Sequence, residues 1–171
     1  TVEPNLLLLN KKIFSNADIV LPLAIDDRLK NDIEIVKLYI ANNDNYSQGN
    51  SIYKNKGNVN QNRFKYTPAI NSKKLIDLIL DSLRIKKIDM ILRLNCEGAE
   101  DDLIYNFSEA KDINLLGVLG SLKDINEIKG KNSYDKLFNF LEKNKIKFLP
   151  FSGDISTWLE AHKFIISLIG K

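Results

Sequence analysis

The sequence predicts an α/β fold in which a mostly parallel sheet is covered by helices on both faces. Three observations lead to it. Apolar runs of strand length recur at residues 88–94, 114–119 and 146–151. Segments with apolar residues at helical spacing separate these runs, giving a β-α-β-α-β order in which each crossover helix returns the chain for a parallel strand. The run 88–94 also passes through Glu97-Gly98-Ala99 directly into an acid-started helix, and such strand ends face the ligand crevice of a doubly wound sheet.

Each element has its own signal. Residues 1–3 suit the end of a strand, followed by Pro4 and a helical pattern over 6–14, since Pro is tolerated in a first turn. Residues 19–25 (IVLPLAI) form a short apolar run stopped by Asp26 and Asp27, as in a buried parallel strand. Residues 33–40 (IEIVKLYI) are β-branched and aromatic, and 63–70 returns to pair with them as an edge hairpin. Between them, 41–63 is a polar loop of Asn, Gly, Ser and Gln with little apolar area to bury. Ser72 is expected to cap a helix to Leu83, whose Leu75, Ile76, Ile79, Leu80 and Leu83 share one face. Asp101 and Asp102 favour the positive end of a helix over 100–110, and 133–144 is a further amphipathic helix. No internal repeat is present.

Composition narrows the class. The chain has 171 residues, 44% apolar and 27% charged, which suits one globular domain spanning 1–171 with its polar loop at 41–63. Apolar runs such as 164–169 fall far short of the roughly 20 residues that cross a bilayer, and no secretory signal pattern is present. No membrane span and a cytoplasmic location are therefore expected. Cys96 is the single cysteine, so an intrachain disulfide and a multi-cysteine metal site are impossible, and no metal is assigned. Residues 51–100 hold ten Lys/Arg against five Asp/Glu, but Lys54, Lys56, Arg63 and Lys65 lie among Asn and Gly without stacking aromatics. A solvated loop is expected there rather than a nucleic-acid surface. Met90 is the sole methionine and Thr1 comes first, so a trimmed or partial chain is expected.

Strand-end carboxylates are the first candidates for chemistry. Glu3 follows the first strand, where a carboxylate with two acceptor oxygens suits a ribose; the alternative is a solvated terminal residue. Glu97 precedes Gly98, which permits a tight turn and close ligand approach; the alternative is an acid serving only the helix terminus. His162 is the only histidine and could remove a proton near neutral pH, or pack with Trp158 four residues earlier. Cys96 would face opposite to Glu97 along an extended strand, as a buried inert thiol.

The segment 91–100 (ILRLNCEGAE) resembles the strand-to-helix motif of the FkbM family of S-adenosylmethionine-dependent methyltransferases, with the Glu-Gly-Ala-Glu core of residues 97–100 matching fully. Val2-Glu3-Pro4-Asn5 resembles the second-strand motif of that family, and Leu23-Ala24 followed by Asp26 resembles the end of its next strand. Asn43-Asp44-Asn45, Ser47-Gln48-Gly49 and the stretch from Ile155-Ser156-Thr157-Trp158 to His162-Lys163-Phe164 resemble further segments, so the likeness covers nearly the whole chain. It implies a Rossmann-like class I methyltransferase fold that is N-terminally incomplete, without its first strand and Gly-rich turn. It also implies S-adenosylmethionine as cofactor, held by Glu3, Ala24, Asp26, Asn95 and Glu97. Methyl transfer to a carbohydrate or small hydroxylated acceptor would follow, with Glu97 or His162 as base. Asn95 stands where the family usually has Asp, and an amide cannot serve as a carboxylate base. A non-catalytic Rossmann-like remnant or binding module is the alternative, and a sugar-nucleotide enzyme a third.

Overall fold

The computed structural model describes residues 21–42, 49–84, 86–150 and 155–170. Its strands are β1 (Ala24–Ile25), β2 (Ile33–Ala41), β3 (Val59–Ile70), β4 (Ile88–Leu94), β5 (Ile113–Gly120) and β6 (Lys147–Pro150). Its helices are α1 (Ser72–Leu83), α2 (Glu100–Glu109), α3 (Lys123–Lys129), α4 (Lys131–Lys143) and α5 (Ile155–Ile169). The class is α/β. The strand and helix expected over 1–3 and 6–14 lie outside the described residues, as do residues 19 and 20.

The described strands are divided between two sheets, only one of which is all parallel. Among the described residues there are two three-stranded sheets, β4-β5-β6 and β1-β3-β2. The first is all parallel, because a helix intervenes between each pair of its strands. The second is mixed: β1 runs parallel to the end of β3, while β2 and β3 are antiparallel because they form one hairpin. That hairpin was expected, but it is longer. Ala41 pairs with Val59 beyond a register shift at Tyr39/Ile40, and both residues are buried, so β3 starts within the stretch expected to be loop.

Alternation along β5 explains why helices cover both faces of the parallel sheet. Val118 is fully buried in a cluster with Leu75 of α1, Phe107 of α2, Ile125 of α3 and Leu137 of α4. Its neighbour Leu119 points the other way and packs with Ala161 and Phe164 of α5. Each fully buried Leu, Ile or Phe contributes roughly 1.5–3 kcal/mol, so the larger cluster dominates the core.

Two local expectations change. Asn71, not Ser72, caps α1: its Oδ1 accepts the backbone N–H of Lys74 at 2.8 Å. The Ser72 hydroxyl donates instead to Asp27 at 2.6 Å. The helix expected over 133–144 begins at Lys131, preceded by the short α3 that no apolar periodicity announces. No helix among the described residues is long and apolar enough to cross a membrane.

Candidate functional site

The turn from β4 into α2 carries the strongest sequence signal, and the structure builds it under constraint. Glu97 has φ 57° and Gly98 φ 120°, so a non-glycine residue sits in the left-handed region, which persists only where its surroundings hold it. Three groups do so. Glu100, at the start of α2, reaches back so that its Oε1 accepts the Cys96 N–H at 2.7 Å and its Oε2 the Gly98 N–H at 2.9 Å. Ser51 donates its hydroxyl to the Glu97 carbonyl at 2.8 Å. The Lys56 ammonium pairs with Glu97 Oε2.

Glu100 is 0% exposed, and burial pushes its carboxyl from 4.5 up to about 7, against the backbone N–H groups that favour the charged form. Lys56 is equally unusual. Its side chain is 5% exposed, with Asp124 at 3.9 Å and the Gly49 carbonyl at 3.5 Å. Burial lowers its pKa below the ordinary lysine value, and Asp124, Glu127 and Glu100 oppose that change.

The segment 49–58 therefore lies across the strand end as a strap. Within it Ile52 and Tyr53 are buried, Asn55 donates to the Ile128 carbonyl at 3.0 Å, and the Gly57 N–H donates to Glu127. This corrects the expectation of a solvated polar loop at Lys56. Composition shows how little apolar area the segment has, but not that its polar groups find buried partners far along the chain.

A second charged group adjoins the first through Tyr53. Asp26, 3% exposed at the carboxyl end of β1, receives Arg28 through two 2.7 Å contacts, Nε to Oδ1 and Nη2 to Oδ2. The Arg28 guanidinium lies 4.2 Å from the Tyr53 ring centre and Lys129 Nζ 5.5 Å from it. Lys129 bridges Asp101 at 2.6 Å and Asp102 at 2.8 Å.

No protein-family model, curated protein or solved structure matches this chain. The chemistry of the strand ends is then the guide to function. Glu97 is held in place with Oε2 on Lys56, and among the described residues Oε1 takes no hydrogen bond. Asn95 is exposed just beyond β4. Asp26 is committed to Arg28, and Ala24 packs in a cluster with Leu38 and Ala69. Glu3 lies outside the described residues. His162 is exposed on α5, where Trp158 lies 5.9 Å beneath the Arg93 guanidinium of β4. Cys96 is half-buried and packs against both larger apolar clusters. No group of three or more His, Cys, Asp or Glu side chains among the described residues is arranged to hold a metal ion.

The sequence reading missed Lys56, Ser51, Tyr53 and Asp124. Glu100 alone had a usable signal, since an acid two residues after a left-handed glycine can reach its N–H. Nothing local marks Lys56.

Proposed function

We propose that the chain is an S-adenosylmethionine-dependent methyltransferase acting on a carbohydrate or other small hydroxylated acceptor, as the likeness of residues 91–100 to the FkbM motif implies. One observation carries it: the Glu97-Gly98 turn stands at the carboxyl end of β4 in an all-parallel sheet, where ligands bind in doubly wound folds. The groups there suit a cationic, hydroxyl-bearing cofactor by their chemistry. Glu97 offers a carboxylate oxygen beyond the one that meets Lys56, and Asn95 an exposed amide.

When bound, S-adenosylmethionine supplies an electrophilic methyl group. The protein's task is then alignment, and for a hydroxyl acceptor the removal of one proton. Glu97 is the residue for both, because its backbone is fixed by Ser51 and Glu100 and its carboxylate by Lys56. The alternative of a non-catalytic binding module draws on the commitment of Asp26 to Arg28, which takes up both oxygens of that carboxylate.

Calorimetric titration of the full-length natural polypeptide with S-adenosylmethionine and S-adenosylhomocysteine separates the two. Saturable heat at one site per chain is expected, weakened in Glu97→Gln. The absence of heat from either compound overturns the methyltransferase reading.

A further inference from the structure

Lys56 is a buried lysine on a polar strap, and burying an ammonium costs several kcal/mol unless its partners compensate. Its partners are the Glu97 carboxylate and, farther off, Asp124 at 3.9 Å. Three features bring the strap to Glu97 in particular. Ser51, at its start, holds the Glu97 carbonyl and also accepts the Tyr53 N–H at 3.0 Å. Tyr53 packs on Gly98 so closely that a Cβ there would come within 2.9 Å of the ring. Asn55 and Gly57 then tie the strap to Ile128 and Glu127 at α3, which leaves the Lys56 side chain directed inward between them. The strap is also bridged to β2, where Ser51 pairs with Tyr39, but its contacts through Ser51 Oγ, Tyr53, Asn55, Lys56 and Gly57 reach the β4–α2 turn and α3.

We propose that Lys56 is a positioning residue. By occupying Glu97 Oε2 it fixes the carboxylate rotamer and presents only Oε1 at the strand end, so that the site accepts a ligand group donating to a single carboxylate oxygen. This rests on the methyltransferase reading, which makes that ligand S-adenosylmethionine or its hydroxyl acceptor. A solvated carboxylate would offer both oxygens to several geometries, whereas a carboxylate pinned by a buried cation offers one. Lys56 itself touches no ligand and acts through Glu97.

The test is a double-mutant cycle on S-adenosylmethionine affinity, measured by calorimetry in the full-length natural polypeptide, with Lys56→Met, Glu97→Gln and the double variant. Loss of a charged hydrogen bond predicts that Lys56→Met weakens binding by about tenfold or more. Because Lys56 acts through Glu97, the double variant should bind no worse than Glu97→Gln alone. A lysine that served only the fold would give additive losses, and additivity overturns the proposal. If Lys56→Met does not fold, Lys56→Met combined with Asp124→Asn removes one of the carboxylates that the ammonium neutralises. The loss of affinity must persist there; wild-type affinity in that variant overturns the proposal. Wild-type protein that gives no heat brings down the methyltransferase reading and this inference with it. Wild-type binding with additive losses brings down the inference alone.

Discussion

The Glu100 carboxylate accepts the backbone N–H of Gly98 at 2.9 Å, reaching back from the first turn of α2 across the bend that precedes it. Burial raises its pKa from 4.5 to about 7, so between these values the folded protein holds a proton that the unfolded chain has released. The stability this group contributes is fully present below about pH 4.5 and is lost as pH rises through 7. Urea denaturation at intervals from pH 5 to 8 should therefore show stability falling by about 1–3 kcal/mol on this account. Glu100→Gln carries no titrating proton and should flatten that part of the slope. An unchanged slope in the variant would remove Glu100 as its source.

Two glycines should respond differently to alanine. At Gly98 the new Cβ would meet Ile128 Cδ1 at 2.5 Å and Tyr53 Cδ2 at 2.9 Å, both side-chain atoms able to move. At Gly120 it would meet the Leu94 carbonyl oxygen at 2.0 Å, which belongs to the backbone of the strand paired with it. Gly98→Ala is expected to cost about 1–3 kcal/mol through strain and repacking, and Gly120→Ala more, because β4 and β5 must separate. Midpoints of urea denaturation give the order. Gly98→Ala as the more damaging of the pair would contradict the Leu94–Gly120 register.

What the sequence revealed depended on how local each cause is. The hairpin of β2 and β3 was legible because β-branched and aromatic residues mark both strands, α1 and α4 because of their apolar spacing, and α2 because acids start it. The seven-residue α3 was not, being too short to show a period. The mixed sheet follows from a pairing choice, β1 beside β3, that no spacing encodes. At the candidate site, Glu97 stood out because Gly98 follows it. Lys56 did not, because its burial depends on Glu97 and Asp124, which are distant in the chain.

Asp27 gathers α1 and α2 into one polar junction. Its Oδ1 accepts the Ser72 N–H at 2.6 Å, while Oδ2 accepts the Ser72 hydroxyl at 2.6 Å and the Asn106 amide at 2.8 Å. Ser72 is 0% exposed, so Asp27→Ala leaves buried donors without acceptors and should cost about 2–4 kcal/mol in urea denaturation. Ser72→Ala leaves the aspartate two of its three donors and should cost about 1–2 kcal/mol. Since the residues share one network, the double variant should be less damaging than the sum. Additive costs would mean that the junction does not act as a unit.

Lys129 ties down two neighbouring acids at the start of α2. Burial opposes its charge, but hydrogen bonds to Asp101 at 2.6 Å and Asp102 at 2.8 Å outweigh that and raise its pKa above the ordinary lysine value. Burial also raises the pKa of Asp102, which Lys129 counters. Lys129→Met would leave two neighbouring carboxylates without their shared cation, with the positive end of α2, about 0.3–1 kcal/mol per charge, and the more distant Arg28 to offset their charge. A loss of about 1–3 kcal/mol is expected, given side chains 9% and 31% exposed at Asp101 and Asp102. Adding Asp101→Asn should restore part of it, because the remaining acid then stands alone at the helix terminus. If Lys129→Met denatures at the same urea concentration as the wild type, the helix terminus suffices for both carboxylates and the bridge contributes nothing to the fold.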